Sequence, residues 1–282
     1  MKRARRSAAA ALVVATGLGL WAFALEPASL TTQEHRLLIP DWRADLAGLR
    51  VAVLADLHVG SPFNGITKLN RIVDRTNSLA PDLIVIPGDL VIQGVIGGSF
   101  VTPEDTATVL TRLRAPLGVW ATLGNHDWWL DAPRIAAALE RQRIRVLEDT
   151  AVRIKRGDAH FWLVGISDFW GGPHDVRKAM SHVEDAAPVL MFTHNPDLFP
   201  ALTERFSLVI AGHTHGGQVR VPLLGRPIVP SRYGQRFAFG HVVEGGRHMF
   251  VSPGLGTSIL PVRFRVPPEV TLLELHPQTP LR

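Results

Sequence analysis

The sequence contains no cysteine. Structural disulfides, thiolate zinc sites and cysteine nucleophiles are therefore excluded, and any metal chemistry is left to histidine, carboxylate and amide oxygen. A general excess of charge is also missing. Four of the cations sit in MKRARR at the N-terminus, and without them 26 Lys and Arg face 25 Asp and Glu. Such a near-neutral remainder argues against the basic channel that a nucleic-acid enzyme needs, so no nucleic acid is expected as a partner. Acid is scarce in one stretch only. Between Val219 and Val266 stand Arg220, Arg226, Arg232, Arg236, Arg247, Arg263 and Arg265 against the single acid Glu244. That patch suits anionic headgroups or a diphosphate, and equally a solvated edge. No internal repeat is present.

What is there is enough for a sizeable core, since 282 residues with 46% hydrophobic content are compatible with one large domain. MKRARR runs into SAAAALVVATGLGLWAFAL, an uncharged stretch of about the length needed to cross a bilayer as a helix. Ala22-Phe23-Ala24 resembles a cleavage site, while the length of the run favours retention. Residues 1–25 are read as a signal anchor or signal peptide. The basic residues ahead of the helix place the N-terminus in the cytoplasm and the rest on the extracytoplasmic side of the inner membrane.

Residues 26–44 read as a polar linker and an edge strand, 45–276 as the domain and 277–282 as a tail. Within the domain, strands alternate with helices. LRVAVLAD, PDLIVIPGD and GVWATLGNHD read as buried strands, ITKLNRIVDRTNSLA and the capped TPEDTATVLTRLRA as helices, with a further helix from about Pro133 to Arg141. Shorter strands follow near Val152, Phe161, Val189 and Leu208, then β-like segments to the end. The layout is α/β with helices covering strands.

Function is carried by where the polar residues fall. Almost every buried strand ends in metal-ligand types: Asp56 and His58, then Asp89, then Asn125, His126 and Asp127, then His194, then His213 and His215. In an open α/β sheet, ligands bind outside the carboxyl ends of the strands, so residues far apart in sequence can converge there. Each motif alone is weak, because D-x-H is common by chance and a single strand-end histidine is more often a hydrogen-bonded core residue. Five such motifs, each closing a hydrophobic run, are not a chance assembly.

The series DLH, GDL, GNHD, H and GHTH resembles the calcineurin-like metallophosphoesterases, and EP-x-x-L, GHTHGGQ and the tail SPGLGTSILPVRFRVPPEVTLLEL are similar to a bacterial, membrane-anchored or exported branch. The resemblance implies a four-layer α/β/β/α sandwich of two mixed sheets carrying two divalent metal ions. By motif, Asp56, His58 and His215 would hold one, Asn125, His194 and His213 the other, with Asp89 bridging. A β-like pitch would turn His213 and His215 to one side. Mixed N and O ligands suit Mn, Fe, Zn, Co or Ni alike. Two such ions about 3.5–4 Å apart clamp phosphate oxygens and acidify a water, and His126 would protonate the leaving group or stabilise its charge.

One departure concerns His126. Many members place an acid three residues after the bridging aspartate to orient that histidine, whereas GDLVIQG puts Ile92 there, leaving Asp127 or a backbone carbonyl as substitutes. For substrate, the anchor and the arginines favour an amphiphilic phosphoester or diphosphate at a membrane. Relatives include enzymes cleaving the UDP-diacylglucosamine diphosphate of lipid A biosynthesis. That lipid is made in the cytoplasm, so either the substrate differs or the helix does not span. Alternatives are a phosphomonoesterase of small exported substrates and a metal-binding module without catalysis. Trp128, Trp129, Phe169 and Trp170 would line a pocket, dip into lipid or cap the core.

Overall fold

The computed structural model describes residues 2–203 and 205–278, so Met1 and most of the expected tail at 277–282 lie outside the described residues. The elements in chain order are α1 (Lys2–Leu20), a π turn (Trp21–Leu25), α2 (Glu26–Ala28), β1 (Thr31–Ile39), β2 (Leu49–Val53), α3 (Ile66–Ser78), β3 (Leu83–Pro87), α4 (Pro103–Leu110), β4 (Val119–Thr122) and α5 (Asn125–Arg141). There follow β5 (Arg145–Val146), β6 (Thr150–Arg156), β7 (Ala159–Ile166), α6 (Val176–Met180), β8 (Val189–Thr193), β9 (Leu208–Ala211), β10 (Gly240–Glu244), β11 (Arg247–Val251) and β12 (Glu269–Pro277).

The strands form two six-stranded sheets, ordered β1-β12-β2-β3-β4-β5 and β10-β11-β9-β8-β7-β6. Both are mixed. The first is antiparallel only between β12 and β2, the second at β10–β11 and β6–β7. Successive side chains of a strand point to opposite faces, so continuous apolar runs serve two layers at once. Val51, Val53, Leu83 and Val85 face the second sheet, against Phe161, Leu163, Phe192 and Ile210. Ala52, Ile84 and Ile86 face outward onto Leu69, Ile72 and Val73 of α3, Leu110 of α4 and Ile135 of α5. On the far side Val164, Met191 and Val209 pack on Ala179 of α6 and on Leu198 and Phe199. The result is the expected α/β/β/α sandwich. Each wholly buried Leu, Val, Ile or Phe stabilises it by roughly 1.5–3 kcal/mol.

Two local expectations fail. α5 starts at Asn125, eight residues early, because Gly124 is extended and its N–H donates to the Asp127 carboxylate at 3.0 Å, which caps the helix. The expected start near Pro133 survives as a kink: Asp131 is non-helical, with φ −174°, and its carboxylate accepts the Arg134 N–H at 3.1 Å. Proline tolerates the first turn of a helix, and so begins this second segment. The GHTHGGQ stretch, residues 212–218, is not β-like, since His213 and His215 both have positive φ and a 3₁₀ turn follows at His215–Gly217.

The expected linker starts as structure. Helix α1 continues through Ala22-Phe23-Ala24 into α2, where Glu26 is buried and accepts the Val266 N–H at 2.6 Å and the Trp21 indole N–H at 2.5 Å. Arg263 donates its N–H to the Ala22 carbonyl at 2.9 Å. Its guanidinium is wholly buried and donates to the carbonyls of Pro253, Gly256 and Val266. Lys68, also buried, donates to the Pro27 carbonyl at 2.7 Å. The foot of the apolar helix is thus locked to the 253–266 segment.

Candidate metal centre

Five of the sequence-predicted residues turn the chain sharply at strand ends. Asp56 (φ 51°), His58 (φ 37°), Asp89 (φ 55°), His213 (φ 71°) and His215 (φ 51°) all occupy the left-handed region that residues with a Cβ seldom adopt. Such a residue costs on the order of 1–3 kcal/mol, and clusters of them occur where function requires it. What holds them is hydrogen bonding across the sheets. The Asp56 carboxylate accepts the His213 N–H at 2.9 and 3.1 Å, and Asp89 accepts the His126 N–H at 3.0 Å. Close backbone approach does the rest. At Gly124 a Cβ would lie 2.5 Å from the Asp89 nitrogen, and at Gly256 it would lie 2.6 Å from the His58 Cβ.

These turns bring all seven ligand-type residues together at one end of the two sheets. His58 Nε2 lies 3.2 Å from His215 Nε2 and 3.4 Å from Asp89 Oδ2, and His215 Nε2 lies 3.5 Å from Asp56 Oδ1. Opposite, His194 Nε2 lies 3.0 Å from His213 Nδ1, 3.2 Å from Asn125 Oδ1 and 3.2 Å from the same Asp89 Oδ2. Two donor sets therefore meet at one carboxylate oxygen.

The donor set fits divalent cations. His58 gives Nδ1 to the Val91 carbonyl at 3.0 Å, so its proton sits there and the Nε2 lone pair faces the cluster. Burial depresses the imidazoles of His58, to about 4, and of His213 and His215, keeping these rings in the neutral form that ligates. His213 Nε2 and His215 Nδ1 are buried without a hydrogen-bond partner among the described residues. Burial also raises Asp56 to about 7. At Asp89 burial acts in the same direction, yet the imidazoles of His194 and His58 outweigh it and hold this carboxyl well below the usual range. His194 is conversely pushed well above the usual imidazole range, because the Asp89 carboxylate facing it outweighs its burial.

A cavity of about 120 Å³ opens over the cluster, lined by Asp89, Asn125, His126, His213, His215 and Ile228 among others. Two larger hollows of about 810 and 820 Å³ lie around the starts of β4 and β5, and neither is lined by a histidine. His126 is half-buried, its ring edge-on to His58 at 4.9 Å and 5.3 Å from Trp129. Its Nδ1 has no hydrogen-bond partner among the described residues. Asp127 does not supply one, since its carboxylate accepts the N–H groups of Gly124, Leu90 and Val91. Ile92 is buried instead among the loop at Gly60 and Gly98.

Sequence reasoning missed Asp168, two residues past β7. It is buried, its Oδ2 accepts the N–H groups of Trp170 and Gly171 at 2.7 Å, and its Oδ1 has no hydrogen-bond partner among the described residues. Its charge favours the protonated forms of His194 and His126. The available signal was its place at the end of the AHFWLVGI run. Of the aromatics, Trp170 stands edge-on to His213 at 4.4 Å, Trp129 stands beside His126, and Trp128 packs against the core. The arginine patch divides: Arg263 is core, Arg236 pairs with Glu244, Arg247 donates to the Phe199 and Leu202 carbonyls, and Arg220, Arg232 and Arg265 are exposed.

Known proteins carry the same frame. The model of the calcineurin-like phosphoesterase family matches residues 49–217. The chain is similar to the phosphodiesterase YaeI of Escherichia coli, at 32% identity over 97% of this chain and 98% of that protein. It is 29% identical to the metallophosphoesterase YkuE of Bacillus subtilis over 95% of this chain and 93% of that one. It is also 27% identical to the UDP-2,3-diacylglucosamine pyrophosphatase LpxG of Chlamydia trachomatis, over 90% of this chain and 92% of the relative. With its fold, its strand-end ligand types and this coverage, the chain belongs to the calcineurin-like phosphoesterases, metal-dependent hydrolases of phosphate esters.

Proposed function

We propose that the protein is a two-cation phosphodiesterase or pyrophosphatase acting on a membrane-associated phosphoester, with residues 1–25 as a retained anchor and 45–276 as the catalytic domain. The observation that carries the hydrolytic part is the meeting of two donor sets at Asp89 Oδ2 beneath a cavity. In this reading Asp56, His58 and His215 hold one cation, Asn125, His194 and His213 the other, and Asp89 serves both. When bound, the cations neutralise phosphate charge and make a water acidic enough to be a nucleophile near neutral pH.

The chain's own groups supply the rest. The Val91 and Pro87 carbonyls fix the ring orientations of His58 and His194, so the cluster is set before substrate arrives. His126 lines the cavity and would give a proton or a hydrogen bond to the departing oxygen. Trp170 and Trp129 border the cluster and limit water around it. A lipid-linked diphosphate of the UDP-diacylglucosamine kind is the finer candidate, supported by the likeness to the pyrophosphatase and by the apolar helix.

The test uses the full chain in detergent micelles, stripped with chelator, reloaded with manganese and assayed on an artificial phosphodiester and the matching monoester. Metal-dependent hydrolysis favouring the diester is expected. Two bound ions with no turnover of either ester would replace this reading with a non-catalytic metal-binding module.

A further inference from the structure

The rim of the cavity is apolar where a soluble enzyme would be polar. Ile228 and Ile259 both line the cavity, yet they are 78% and 69% exposed. Leu260 follows, and Ile96 is tied to the same place through its N–H to the Ile259 carbonyl at 3.1 Å. Beside them a tight turn closed by the Val221–Gly225 bridge carries Leu223 and Leu224 at its tip, both exposed. Gln218 couples the two loops, its side-chain carbonyl accepting the Ser258 N–H at 2.8 Å and its backbone carbonyl accepting the Phe264 N–H at 2.9 Å. Large exposed apolar side chains gathered in one patch mark an interaction surface.

Charge and chain continuity identify what meets it. Arg220, Arg232 and Arg265 are exposed on the segments that carry the patch, where Glu244 is the single acid from Val219 to Val266, already paired with Arg236. Consecutive residues Leu12, Val13 and Val14 of α1 are all exposed, so the helix is apolar on every side and covered on none among the described residues. A helix of that kind belongs in lipid. Its foot is bonded to Arg263, four residues beyond Ile259. The bilayer that takes the helix therefore lies beside the rim.

We propose that this rim is a membrane-docking face: the 223–224 and 259–260 tips enter the interface of an anionic bilayer while Arg220, Arg232 and Arg265 meet headgroup phosphates, so the site draws its phosphoester from the bilayer plane. The proposal rests on the membrane-associated reading above and sharpens it. Apolar tips flanked by cations bind the interfacial zone through buried area together with attraction to anionic lipid.

The absence of cysteine makes the test direct, because any introduced thiol is unique. The full chain carrying Leu224→Cys or Ile259→Cys is spin-labelled, reconstituted into phosphatidylglycerol-rich vesicles, and compared with Ser78→Cys, an exposed position on α3. Labels at 224 and 259 are expected to collide with oxygen and be shielded from a water-soluble nickel complex, with the label at 78 showing the reverse. Labels at 224 and 259 as open to nickel as the one at 78 would overturn the proposal. Equal shielding in zwitterionic vesicles would remove the arginines' part in it.

A kinetic arm separates this idea from the hydrolytic reading. Leu223→Ser with Leu224→Ser is expected to slow turnover of a vesicle-borne phosphodiester ~tenfold, while a water-soluble diester is cleaved as before. Equal turnover of the vesicle-borne ester by both proteins would count against docking. Loss of all metal-dependent hydrolysis in the parent chain would instead remove the hydrolytic reading, leaving the depth measurement to stand by itself.

Discussion

The backbone N–H of His213 donates to both carboxylate oxygens of Asp56, at 2.9 and 3.1 Å, across 157 residues of chain. One strand-end turn in the second sheet therefore orients a carboxylate at a strand end of the first. The site exists only where the two sheets meet.

His213→Ala or His215→Ala should each remove one cation and lower turnover by at least ~100-fold, the scale for losing part of a ligand set or its supports. The sheets do not depend on either ring, so the far-ultraviolet dichroism should stay as it was. Metal analysis by plasma spectrometry reads the outcome, and two ions retained per chain would refute the assignment.

His126→Ala should keep both cations, because its ring lines the cavity while its backbone N–H, which survives the change, serves Asp89. The expected loss is in kcat, roughly 10²–10⁴-fold for a proton donor. A wild-type kcat on an ester with a poor leaving group would show that the ring takes no part in the chemistry.

Gly256→Ala should loosen the centre from behind. The new methyl would lie 2.6 Å from His58 Cβ and 2.7 Å from the Leu57 carbonyl, so His58 must shift. Overpacking of this kind costs about 1–3 kcal/mol. A lowered Tm together with weaker manganese binding is expected, measured by calorimetry with and without the ion. An unchanged Tm would mean that the tail yields more readily than its packing implies.

Lys68 gives a stability signature with pH. Burial, with the charges of Arg263 and Arg71, lowers its ammonium to about 7 in the folded chain, against ~10.4 when unfolded. Below pH 7 both states hold the proton and the folded state carries the full penalty. Between about 7 and 10 the unfolded chain binds the extra proton, so this residue's contribution to stability rises with pH. Urea unfolding at pH 7 and 9 should show Lys68→Met to have lost that rise. An identical pH slope in both proteins would place the cause elsewhere.

The readable parts of the molecule were those in which one side chain's type carries the message. Apolar strand runs, the Thr102 cap of α4, and histidines, aspartates and Asn125 closing hydrophobic runs are local signals; they announced helices covering strands and named residues that the fold gathers at one end of the sheets, while the four-layer sandwich was implied by the family resemblance alone. Absence of cysteine had already restricted the donors to nitrogen and oxygen.

What needed the fold was every relation between distant segments. Left-handed turns at Asp56, His58, Asp89, His213 and His215 cannot be read from residues that ordinarily avoid them, because the bonds around them come from segments distant in sequence, His213 for Asp56, Val91 for His58 and His126 for Asp89. Asp168 looked like one acid among many until β7 set it near His194 and His126. Arg263 counted as one surface cation of seven, whereas tertiary packing buried it among carbonyls and joined it to the foot of the apolar helix. Composition and periodicity act along the chain and determined which elements form and which donors they carry. Distance, burial and charge act across it, and only the packed sheets decided which of those donors share a site and which face the site opens onto.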